Sequence, residues 1–177
     1  MNMKNMTKMT LVMAAAVFAL TGCGGNPIKE GTKLLEDKKY EKAEAAFKEA
    51  VKSDKNVAEA YRGMGIARWE LEDYEGAKEA FLQALDAGAD STAAICHFIG
   101  SCEMELGNPK NALNYYRFGM EAEDCTDELM QEMKRNEIAA YEALGDFESA
   151  KTRMKKYNEE YPDDKKMKKE TEFYVTQ

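Results

Sequence analysis

Between Ala58 and Ala89 the chain runs AEAYRGMGIARWELEDYEGAKEAFLQALDAGA, with small residues recurring at helical spacing between larger apolar ones. Gly65, Ala67, Ala77, Ala80 and Ala84 are the small positions, and the pattern predicts two helices with a break at Glu72-Asp73. Small residues facing large ones let two antiparallel helices approach closely. One such hairpin cannot cover its own apolar faces and needs neighbours on both sides. The chain supplies them. KKYEKAEAAFKEAV, Lys38 to Val51, realigns with EDYEGAKEAFLQAL, Glu72 to Leu85, at an offset of 34 residues, with Tyr40/Tyr74, Ala43/Ala77, Phe47/Phe81 and Ala50/Ala84 in register.

A helix–turn–helix unit at this period resembles the tetratricopeptide repeat (TPR). The resemblance covers residues 27–162 and implies an all-α, right-handed α-solenoid of about four repeats. The second repeat, Ala58 to about Asp90, is the fullest match, with Tyr61, the large-small pair Met64-Gly65, Ala77, Phe81 and Ala84; Arg68 and Ala89 stand where the family favours Tyr and Pro. In the first repeat, Asn26-Pro27 is a good helix start for a short helix to Glu36. Its second helix runs from Tyr40 to Lys52. The third repeat begins near Ala93 after a one-residue slip, with Ile99-Gly100 as its pair, Gly107-Asn108-Pro109 as its turn, and Ala112 and Tyr116 on its second helix. Gly119 replaces the usual Ala there, a loss of about 1 kcal/mol in helix propensity. A loop from Glu123 to Glu128 leads to a fourth repeat from about Gln131, carried by Tyr141, Gly145-Asp146-Phe147, Ala150, Met154 and Pro162, with Ile138 where a small residue is usual. Residues 163–177 read as a C-terminal capping helix, started by Asp163 or Asp164 with Met167, Thr171 and Tyr174 on one face, or as a charged tail.

Residues 1–22 follow a different pattern. Lys4 and Lys8 form a positive region before an apolar stretch, Leu11 to Leu20, which is about half of what a membrane span needs. The tetrad Leu20-Thr21-Gly22-Cys23 resembles the lipobox of bacterial lipoproteins. That resemblance implies a signal peptide over 1–22, cleavage before Cys23, lipidation of its thiol and acylation of the new amino group; an ordinary secretory peptide with an incidental Cys is the other reading. Residues 23–26 then form a tether of about 14 Å at full extension, which keeps the first helix near the bilayer. Gly24 is not the Asp that resembles an inner-membrane retention signal. The expected location is therefore the bacterial cell envelope: the outer face of the plasma membrane, or the outer membrane if the cell has two.

The formal net charge is −8, from 25 basic and 33 acidic residues. Without Lys4 and Lys8 it is −10, and no basic patch carries interleaved aromatics. Nucleic acid is not an expected partner. Neither a P-loop, a dinucleotide glycine fingerprint nor a serine elbow is present, so no enzymatic activity, small-molecule substrate or cofactor is expected. His97 is the only histidine and neighbours Cys96; adjacent helical side chains diverge by about 100° and form no dyad, and no metal-ligand spacing surrounds them. Cys102 falls at a buried small position. Cys96 starts one helix and Cys125 follows its antiparallel partner, so an exported protein permits a Cys96–Cys125 disulfide or leaves both thiols free.

In the family that the repeats resemble, the first helices line a concave groove. Carried over, one row is Ile28, Arg62, His97 and Arg135; the next is Thr32, Ile66, Ser101 and Ala139; the third is Leu35, Trp69, Met104 and Glu142, beside Glu36, Glu70 and Glu105. This implies a bed for a peptide or protein segment, with Trp69 as anchor and the arginines for carboxylates. In the bland alternative Trp69 packs between adjacent first helices and the arginines are surface charges. The carboxylate clamp of chaperone-binding members is missing, since no asparagine stands near Thr32. Two functions follow: a lipid-anchored protein–protein interaction module, or a scaffold subunit of an envelope assembly or secretion complex, resembling pilotin-type or outer-membrane assembly lipoproteins. In the second, the convex face or the 123–128 loop makes the contacts.

Overall fold

The computed structural model describes residues 26–54, 56–90 and 92–175, with side chains through residue 172. The leader, Cys23 and the tether glycines lie outside the described residues. Those described form only helices: α1 Pro27–Glu36, α2 Tyr40–Lys52, α3 Val57–Glu70, α4 Tyr74–Asp86, α5 Thr92–Glu105, α6 Pro109–Glu121, α7 Asp127–Ala143, α8 Phe147–Glu160 and α9 Lys165–Val175. Local chemistry sets the starts. The Asn26 side chain accepts from the Ile28 amide with Pro27 at the first turn, and Asp73 and Asp146 accept from Gly76 and Ser149. The expected 123–128 loop is shorter in the structure. Thr126 caps α7 by accepting from Leu129 N, and Asp127 and Glu128 lie in its first turn, where acids suit the helix dipole.

Four hairpins, α1–α2, α3–α4, α5–α6 and α7–α8, turn in the same way. Lys38, Glu72, Gly107 and Gly145 occupy one equivalent position with φ of 57°, 61°, 76° and 73°. Each of these amides donates to the carbonyl three residues back (Leu35, Trp69, Met104, Glu142), and the following amide donates to the carbonyl five back. This closes the helix end on its own orphan carbonyls. The left-handed conformation is open to glycine, but at Lys38 and Glu72 it costs about 1–2 kcal/mol.

Inside the hairpins an aromatic ring lies against glycine. A Cβ added at Gly65 would come within 2.6 Å of Phe81, and one at Gly100 within 2.5 Å of Tyr116. In the fourth repeat the volumes are exchanged: Ile138 takes the glycine position and Met154 the aromatic one. Both are buried in one cluster with Ala150, Tyr157 and Met167. Gly119 also has a steric role, since a Cβ there would meet Met133 Sδ at 2.7 Å and the Ala93 carbonyl at 3.1 Å. The propensity lost on α6 is what allows α5 and α7 to approach it.

Residues 163–175 take the capping-helix alternative. Asp164 Oδ1 accepts from Lys166 N and Met167 N, both at 3.1 Å, and Met167 and Thr171 are buried. The fourth repeat is thereby covered, as the end of a repeat stack requires.

Candidate functional site

Helices of the first layer pack side by side, α1 on α3 and α5 on α7, as well as on their second-layer partners. The candidate surface runs across α1, α3, α5 and α7, the helices of this layer. The residues of the expected rows lie on these four helices. Arg62 is half-buried and its Nε donates to Glu59 at 2.9 Å on the same helix, which holds the guanidinium even more firmly charged. Arg135 NH1 lies 3.5 Å from Asp164 in the turn before α9. His97 Nε2 accepts from the Asn136 amide at 3.0 Å and lies 3.7 Å from Glu132, so its ring ties α5 to α7. Burial pushes the His97 imidazole below its ordinary value, and Glu132 opposes that push. The expected row of free cations is thus a row of internally matched charges.

The other positions divide in the same way. Trp69 makes edge contacts with Tyr74 at 5.0 Å and Phe98 at 6.1 Å, so the ring joins α3 to the start of α4 and to α5 while part of it stays open. Ile66 is half-buried beside it in the same cluster. Ser101 Oγ donates to the His97 carbonyl at 3.0 Å, and Met104 packs against the α6–α7 core. Ala139 is exposed. Sequence reasoning missed Phe98, Glu59, Glu132, Asn136 and Asp164. An acid three residues before Arg62 was a visible cue for the first pairing, whereas His97–Asn136 spans 39 residues and had none.

Glu36, Glu70 and Glu105 lie exposed at the last turns of α1, α3 and α5. Tyr40 hydrogen-bonds Glu70, which raises its phenol pKa; Tyr74 is raised chiefly by burial and then by Glu105. At the C-terminal end of the same face a cleft of about 320 Å³ opens between α7 and α9. Its walls include Glu132, Arg135, Ala139, Glu142, Asp164 and Lys166. One Glu142 oxygen, Oε1, is buried with no hydrogen-bond partner.

The three described cysteines are free. Cys96 and Cys102 are buried and Cys125 is half-buried beside the α6–α7 core, so the Cys96–Cys125 bond that an exported chain permits is not formed. Burial raises all three thiols, Cys102 to about 12, and Asp124 adds to the rise at Cys96 and Cys125. Thiols held protonated are poor nucleophiles. Among the described residues no three His, Cys, Asp or Glu side chains converge as metal ligands, and no helix is long and apolar enough to cross a membrane.

Comparison with known proteins agrees with this architecture. Two tetratricopeptide repeat profiles match, over residues 28–95 and 138–164. No curated protein sequence matches the chain. Among solved structures, YrrB, described as a TPR protein with an unusual peptide-binding site, is 26% identical, with 77% of this chain and 68% of that chain covered and a TM-score of 0.66. MamA from Desulfovibrio magneticus RS-1 is 21% identical over 86% of this chain and 85% of its own, with a TM-score of 0.72, and shares the fold. Helix pattern, profiles and structural neighbours together make this chain a tetratricopeptide-repeat protein.

Proposed function

We propose that this chain is a lipid-anchored binding module that holds a peptide or protein segment along the face of its first helices, and that it has no catalytic role. The observation that carries the reading is that face itself: a continuous surface with an open edge of Trp69, the small exposed Ala139 and a cleft at one end. Its likeness to YrrB, a protein with a peptide-binding site, supports the reading. The Leu20-Thr21-Gly22-Cys23 lipobox supports attachment to the bacterial cell envelope through Cys23. Fold alone does not imply function, so the site must be tested directly.

Ala139→Trp fills the cleft without removing an internal contact. Cross-linked purification from native membranes should recover a partner with the wild type and lose it with this variant. Cys23→Ala should move the protein from the membrane to the soluble fraction; retention on the membrane would refute the anchor. A scaffold role is the second reading, favoured by Phe118, which is 61% exposed on α6 in the second layer. If the same assembly is recovered with Ala139→Trp but lost with Phe118→Ser, the second layer is the working surface.

A further inference from the structure

The charge balance of this face says what kind of segment it takes. The three guanidiniums on the first helices are engaged within the protein, Arg62 by Glu59, Arg68 by Glu44 and Arg135 by Asp164. The carboxylates are not neutralised in this way: Tyr40 hydrogen-bonds Glu70 but leaves its charge in place. Glu70 and Glu105 are exposed in the last turns of α3 and α5, where the carbonyl ends of the helices add further negative potential. Glu132 keeps about half of its side chain exposed, 3.7 Å from His97 and in the same cleft wall as Arg135 and Lys166. Glu142 lines the cleft with one oxygen buried and without a donor, an unmet demand in a partly desolvated site. In the cleft the acids Glu132, Glu142, Asp164 and Glu170 outnumber the bases Arg135 and Lys166, so an acidic segment would meet net repulsion there.

We propose that the segment bound on this face is cationic: an extended, lysine- or arginine-rich stretch whose basic side chains face Glu70 and Glu105 and enter the cleft beside Glu132 and Glu142. This rests on the peptide-binding reading above and adds the chemistry of the partner. The net charge of −8 also acts at long range, raising the rate at which a basic segment encounters the protein.

Three fluorescently labelled peptides test it, equal in length and apolar content, with lysine, glutamine or glutamate at alternate positions. Anisotropy with the purified full chain should show the lysine peptide binding about tenfold more tightly than the glutamine one, and the glutamate peptide not binding. Added salt should weaken the lysine complex. Glu132→Gln/Glu142→Gln should weaken it about tenfold while melting like the wild type. Equal binding of the three peptides, preference for glutamate, or indifference to the double variant overturns the cationic assignment. Ala139→Trp separates the two levels. If it abolishes binding of whichever peptide binds while charge has no effect, the groove reading stands and the cationic partner falls. If the lysine peptide binds equally well to Ala139→Trp, or if no peptide binds, both fall.

Discussion

Two junctions of the solenoid close on the same pair of repeat positions with the charges reversed. Between the first and second repeats, Glu44 on α2 meets Arg68 on α3 at 2.8 Å, and Arg68 also donates to the Gly76 carbonyl at 2.9 Å. Between the second and third, Lys78 on α4 lies 3.7 Å from Glu103 on α5, whose other oxygen accepts from Asn108 at 3.0 Å. At the third junction the equivalent residues, Leu113 and Tyr141, pack in one apolar cluster. The repeats therefore share a backbone but are not interchangeable. Stacking the second repeat on a copy of itself would set Lys78 against Arg68, a like-charge contact with limited exposure to water. Arg68, where the family favours Tyr, is half of an order-specific pair.

The largest effect is expected from the ring that seats the first junction. Phe47 lies between Gly31 of α1 and Gly63 of α3, each so close that an added Cβ would come within 2.7 Å of its ring. Phe47→Ala should cost about 3–5 kcal/mol in denaturant unfolding, more than any charge change at the junctions. Arg68→Glu sets two carboxylates against each other and should cost about 1–2 kcal/mol, discounted for partial exposure. Glu44→Arg/Arg68→Glu should recover most of that loss. A double variant no more stable than Arg68→Glu alone would show that the pair does not set the register.

Smaller effects sharpen the contrast between the N-terminal and C-terminal turns. Lys38→Gly or Glu72→Gly should raise stability by about 0.5–1 kcal/mol, because the native φ is already positive there. Gly107→Lys should lower it by about 1 kcal/mol, a reciprocal result read from the melting temperature. The α5–α7 contact adds a pH dependence carried by the chain's one histidine, which the first junctions lack. Burial holds the His97 pKa below 6.5, so the unfolded chain binds that proton at higher pH than the folded one. The contribution is complete above pH 6.5 and is lost as pH falls below it. Stability should decline over that range in the wild type and less so in His97→Gln. Thiol titration of the unfolded protein should give the same count with and without reductant; a lower count without it would restore the Cys96–Cys125 bond.

Much of this was legible in the chain. The bounds of α1 and α2 agree with the expected helices from Pro27 to Glu36 and from Tyr40 to Lys52, because caps and periodicity are local. The α7 start was missed because the apolar pattern begins after the Thr126 cap. The site was less legible. Arg62, His97 and Arg135 lie on the first helices of successive repeats, but spacing cannot show which partners each one meets: Glu59, Asn136 and Asp164.

The period of 34 residues, the helical class and the aromatic-against-glycine packing of the first three repeats are written in residues close together or one repeat apart. The exchange of volumes between Ile138 and Met154, the closure of Arg135 by Asp164, the tie from His97 to Asn136 and the free thiols of Cys96 and Cys125 emerge from the packed stack. These depend on contacts between helices whose relative placement is set by the summed packing of the stack, a quantity that no single stretch of chain contains.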